Sequence, residues 1–161
     1  MKSVLVFLLF ISSAAFGMHH EKLDVIVFAI DLEINEGKKD SAKSFVSKIT
    51  DNVKRNEPQT LVYQYHFSDK ENKVFLLEIY PNNEAALLHM KNFTGSNWEA
   101  EFVENFSIKS ASILGKANSK LKKAMEPYTT DFRSNLSGFD RVADQLSNCL
   151  LYTSDAADED L

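Results

Sequence analysis

The segment Leu23 to Ile34, LDVIVFAIDLEI, constrains the fold of this chain more than any other. Its β-branched and aromatic residues favour a strand. Alternation places Ile26, Phe28, Ile30 and Leu32 on one face and Leu23, Val25, Val27 and Ala29 on the other. A strand apolar on both faces needs cover on both, so a sheet lined by helices on one side must find a second partner for the other. The simplest partner is the same sheet of a second copy, because monomers avoid exposing a large apolar patch.

The remaining elements follow from period and punctuation. Asn35-Glu36-Gly37 marks a turn, and from Asp40 apolar residues recur at Ala42, Phe45, Val46, Ile49 and Val53, the stripe of an amphipathic helix that Pro58 stops. Leu61 to Phe67 alternates as a second strand. A polar turn over residues 68–72 joins it to a third, Lys73 to Tyr80, as a hairpin. Pro81-Asn82-Asn83 offers a cap for a helix over Glu84 to Phe93, and Thr94-Gly95-Ser96-Asn97 breaks it. A short helix from Trp98 to Asn105, a strand from Phe106 to Leu114 and a last helix capped by Asn118 complete the order, with a short strand near Tyr128 to Phe132. Four antiparallel strands with crossover helices after the first and third give an α+β fold, the ferredoxin-like βαββαβ plan with helices on one face of the sheet.

The amino terminus carries its own signal. Met1-Lys2, an apolar run from Val4 to Ile11 and small residues at Ala15 and Gly17 are the parts of a signal peptide over residues 1–17, and the run is too short to span a bilayer. The expected product is a single domain over residues 18–148, secreted or periplasmic, with no membrane attachment after cleavage. The 18 Lys and Arg against 23 Asp and Glu leave a net charge of −5, so no positive field is available to hold nucleic acid. The only cysteine, Cys149, allows no internal disulfide. It opens a tail, residues 149–161, that reads as translated sequencing adapter; the other reading is a genuine acidic, solvating tail. Either way it is set aside from function. Cleavage before Met18 would place His20 third from a free amine, a square-planar nitrogen set suited to Cu(II) or Ni(II).

Several segments carry a family resemblance. Asn56-Glu57-Pro58-Gln59-Thr60-Leu61-Val62-Tyr63, then Leu77-Glu78-Ile79-Tyr80, then Ala85-Ala86-Leu87-Leu88-His89, with Leu136-Ser137-Gly138-Phe139 near the end, resemble the antibiotic biosynthesis monooxygenase superfamily, in its single-domain quinol monooxygenase-like branch. The resemblance spans roughly residues 24 to 141. It implies a dimeric α+β barrel with a pocket between sheet and helices in each subunit, and oxygen chemistry on a quinol or other small aromatic with neither metal nor flavin as cofactor. A homodimer and a small aromatic ligand are the partners it implies. Fold alone does not settle a reaction, so a non-catalytic binding module for a hydrophobic ligand stays beside it.

The candidate site follows from the same segments. His89 matches the histidine of the family's Glu-x-Tyr and Ala-x-x-x-His pattern, and either takes a proton from a phenolic ligand or serves as a half-buried structural residue. Glu78 in an otherwise apolar strand either binds a neighbouring donor or orients the acid–base group, since a carboxylate buried without a partner costs several kcal/mol, roughly. Tyr63 and Tyr65 share a face, and Tyr80 shares one with Glu78, which makes all three candidate pocket residues. Phe93 and the only tryptophan, Trp98, are expected to wall the pocket, or in the case of Trp98 to pack its helix. In haem-degrading relatives a tryptophan, a histidine and an asparagine act together. The spacing around Trp98 and His89 differs from that set.

Overall fold

The computed structural model describes residues 24–68 and 72–138. The expected signal peptide, the His20 site, residues 69–71 of the hairpin turn, Phe139 and the tail from Cys149 lie outside the described residues. The elements run β1 (Ile26–Ile34), α1 (Lys39–Asn56), β2 (Val62–Phe67), β3 (Lys73–Tyr80), α2 (Asn83–Phe93), α3 (Asn97–Asn105), β4 (Phe106–Leu114), α4 (Ser119–Met125) and β5 (Phe132–Arg133).

The sheet order is β2-β3-β1-β4-β5, with β1 central and antiparallel to both β3 and β4. That is the ferredoxin-like plan read from the sequence, with one difference. Among the described residues the sheet has five strands, because β5 joins the edge of β4 in parallel. The addition is held by Ile113 N–H donating to the Asp131 carbonyl and Gly115 N–H to the Arg133 carbonyl, both at 2.9 Å. Two residues are too few to show a period, so the sequence places only an approximate strand here.

Each helix begins where a side chain can satisfy its orphan N–H groups, α1 excepted. Asn82 Oδ1 accepts from Ala85 N–H at 2.9 Å, Ser96 Oγ from Trp98 N–H at 3.1 Å, and Asn118 Oδ1 from Leu121 N–H at 2.9 Å. α1 lacks such a cap and depends on packing instead, burying Ala42, Phe45, Ile49 and Val53 along one stripe. Between α2 and α3, Gly95 takes φ +72°, a left-handed turn that glycine adopts without penalty. Gly115, at φ +110°, has a different reason: a Cβ there would lie 2.3 Å from the Val25 carbonyl oxygen.

The core lies between the helices and one face of the sheet, where Ile26, Phe28, Ile30, Leu32 and Ile34 of β1 are all buried. The opposite face follows from the register. One row across it reads Val62, Ile79, Val27 and Leu114, all half-buried, and the next reads Gln64, Leu77, Ala29 and Ser112. Beyond Ala29 this face of β1 turns polar at Asp31 and Glu33, both exposed. The doubly apolar character therefore holds for the first half of the strand. Among the described residues no helix is long and apolar enough to cross a membrane.

Candidate functional site

The register that builds the core also places one acid in it. Tyr63 of β2 pairs with Glu78 of β3, Glu78 with Phe28 of β1, and Phe28 with Ile113 of β4, so a single inner row holds a carboxylate among aromatic and aliphatic neighbours. Glu78 is 3% exposed. The Tyr80 hydroxyl, two residues on and on the same face, donates to Glu78 Oε2 at 2.8 Å.

Facing that row, α2 buries His89, 5% exposed. Its ring lies between Tyr63 (5.6 Å), Tyr80 (5.7 Å) and Phe93 (6.0 Å, stacked at 15°). Its Nδ1 stands 2.9 Å from Glu57 Oε2, and its Nε2 points toward Glu78 Oε2 at 3.7 Å. Glu57 is the C-cap residue of α1 and is 4% exposed. Its other oxygen accepts from Asn92 Nδ2 at 3.1 Å, one turn beyond His89. The result is a buried row of three titratable groups, Glu57, His89 and Glu78, in which Glu57 accepts a hydrogen bond from Nδ1–H and turns Nε2 toward Glu78.

The environment pushes the three apart. Burial raises the Glu57 carboxyl, but the bonds from His89, Asn92 and Thr60 together with the imidazolium charge outweigh it, and Glu57 ends below the ordinary carboxylate range. Burial works against charge on His89 as well, yet the Glu78 charge and the Glu57 bond and charge win, so the imidazolium persists above its ordinary range. Glu78 goes the other way. Burial raises it, the His89 charge and the Tyr80 bond offset only part of that rise, and the Glu57 charge adds to it. Burial also holds the hydroxyls of Tyr63 and Tyr65 in their protonated form.

Tyr63, Tyr65, Glu78 and His89 form the polar end of a cavity of about 40 Å³. The Tyr63 and Tyr65 hydroxyls meet at 3.2 Å. The rest of the lining is apolar and includes Phe28, Ile30, Met90, Phe93, Phe102 and Met125, with half-buried Tyr128 also on the wall. Among the described residues no Lys or Arg lines it. Nor, among them, is any group of three or more His, Cys, Asp and Glu placed to hold a metal ion.

The structure thus brings His89, Glu78, Tyr63, Tyr65 and Phe93 to one cavity. Tyr80 stands behind Glu78, its ring against Phe28 at 5.2 Å, and reaches the site through its hydroxyl. Trp98 lies outside the lining. Trp98 and Phe102 are four apart on α3; Phe102 faces the cavity, while the Trp98 ring packs on Phe45 of α1 at 6.2 Å. Glu57 and Asn92 are the residues that sequence reasoning missed. A signal for Glu57 was present: an acid at a helix C-terminus opposes the helix dipole, so its placement there calls for a partner elsewhere.

Comparison with solved structures bears on the fold. MupZ from Pseudomonas fluorescens superposes with a TM-score of 0.63 at 21% identity, covering 74% of this chain and 96% of its own. A conserved Bacteroides thetaiotaomicron protein of unknown function gives 0.50 at 15% identity, covering 56% and 96%. A Caulobacter crescentus protein named "putative antibiotic biosynthesis monooxygenase" gives 0.49 at 22%, covering 57% and 87%. No protein-family model matches the chain, and no curated protein matches it. The chain has an α+β ferredoxin-like fold, and MupZ shares it.

Proposed function

We propose that the protein is an exported, homodimeric, monooxygenase-like enzyme that acts on a quinol or other small aromatic without a cofactor. The observation that carries this reading is the buried Glu57–His89–Glu78 row at the polar end of an otherwise apolar cavity. Such a site suits a ligand that is flat and greasy with an ionisable hydroxyl at one end. Removing the hydroxyl proton leaves an electron-rich phenolate, the form that reduces dioxygen. For a hydroquinone the balance closes without an external reductant. One oxygen atom enters a ring C–H bond, the other leaves as water with the two hydroxyl hydrogens, and the ring supplies all four electrons. The cavity is smaller than an aromatic ring, so entry displaces part of its wall. Met90 and Met125 are the flexible side chains there.

The dimer is part of the same proposal. The rows Val62, Ile79, Val27, Leu114 and Leu77, Ala29 supply an apolar sheet face for a second copy. The test of function is oxygen uptake with a panel of hydroquinones. Wild type is expected to exceed the buffer rate and His89→Ala to lose that excess. No uptake by wild type would remove the enzymatic reading. A non-catalytic binder would instead be thermally stabilised by the same compounds with no oxygen consumed.

A further inference from the structure

The 3.7 Å gap between His89 Nε2 and Glu78 Oε2 is too long for a hydrogen bond and too short to hold a separate charged partner for each atom. Both residues line the cavity. An oxygen atom about 2.8 Å from each forms a triangle over that gap, with ordinary hydrogen-bond lengths on both sides. Glu78 Oε2 already accepts from the Tyr80 hydroxyl at 2.8 Å and, having two lone pairs, takes one donor more. His89 Nδ1 is committed to Glu57 at 2.9 Å, so Nε2–H is the donor that remains for a ligand.

We propose that this gap is a socket for an uncharged hydroxyl, which donates its proton to Glu78 Oε2 and accepts from His89 Nε2–H. The inference rests on the reading of the cavity as a ligand site and names the chemistry it selects. A hydroxyl donates and accepts through one atom. A carboxylate only accepts and would face Glu78 acceptor to acceptor, and an ether oxygen has nothing to donate. The surrounding charge selects in the same direction. Two acids, Glu57 and Glu78, stand beside the one imidazole, burial holds the Tyr63, Tyr65 and Tyr80 hydroxyls protonated, and among the described residues no Lys or Arg lines the cavity to balance an incoming anion. The arrangement also divides the catalytic roles. Glu78 receives the proton, and His89, held cationic and oriented by Glu57, stabilises the oxyanion that forms. Proton count is conserved, since the hydroxyl proton moves to Glu78 and the imidazolium keeps its own.

The experiment compares phenol, anisole and benzoate, three one-ring probes differing at a single group, by calorimetric titration against the folded protein at pH 7.5. Phenol is expected to bind at least about tenfold more tightly than either of the others, the loss of one hydrogen bond to a charged group. In Glu78→Gln, whose amide can donate to an anion, the preference for phenol over benzoate is expected to fall about tenfold or reverse. Benzoate binding wild type as tightly as phenol, or anisole matching phenol, would overturn the socket. So would binding of none of the three. The wild-type series decides the matter even if the variant does not fold. Oxygen uptake separates the two proposals: turnover of hydroquinones without this selectivity removes the socket alone, and selectivity without turnover removes the oxygenase reading alone.

Discussion

Replacing Glu57 by Gln tests the central contact with almost no change of shape. The carboxylate is 4% exposed and binds His89 Nδ1 at 2.9 Å and Asn92 Nδ2 at 3.1 Å. Gln retains an acceptor for one of these donors and loses the charge. His89 keeps Glu78 at 3.7 Å, so the loss falls short of stranding a buried cation, which costs about 3–5 kcal/mol. A charge-assisted bond contributes about 1.5–3 kcal/mol net, which puts the expected destabilisation at about 2 kcal/mol and the fall in Tm at about 8 °C. Urea denaturation followed by far-UV circular dichroism at pH 6 measures it. The pH dependence has a definite sign. Glu57 is depressed below its ordinary 4.5, so its contribution is complete above that value and is lost as pH falls through the folded pKa. His89 is raised above 6.5, so its contribution is complete below that value and is lost as pH rises through the folded pKa. The advantage of wild type over Glu57→Gln should therefore form a plateau between about 4.5 and 6.5 and shrink on both sides. A double-mutant cycle with His89→Gln should return a coupling of about 2 kcal/mol. A coupling below about 0.5 kcal/mol, or an advantage that does not vary with pH, would refute the paired row.

Two further substitutions probe the frame. Gly115→Ala combines φ +110° with a Cβ 2.3 Å from the Val25 carbonyl and should cost well over 2 kcal/mol, roughly. Gly95→Ala, at φ +72° with nothing within 4 Å, should cost only about 1 kcal/mol. Equal losses in thermal unfolding would contradict the close approach. Val27→Asp puts a charge in the middle of the open sheet face, and light scattering at micromolar concentration should show wild type as dimers and the variant as monomers. Wild-type monomers would remove the barrel.

Much of this architecture was legible in the chain, for identifiable reasons. β1 is long and strongly apolar, α1 shows its stripe at Ala42, Phe45, Ile49 and Val53, and Pro58 and Gly95 punctuate clearly. Period-2 alternation put Tyr63 beside Tyr65 and Glu78 beside Tyr80, on the faces where the structure has them. What escaped depends on contacts between distant positions. Glu57 meets His89 across 32 residues, and no local pattern encodes that meeting. β5 is too short to have a period, and its place is set by the edge that β4 offers. The sequence offers Trp98 both as pocket wall and as helix packing, and Phe45 on another helix decides for packing.

The seat of Trp98 has a practical consequence. Half-buried against Phe45 and outside the cavity lining, the single indole couples α3 to α1. Its emission is thus a built-in optical gauge of whether those two helices remain docked. A red shift of that emission ahead of the main unfolding transition would report α3 leaving α1 before the rest of the fold is lost.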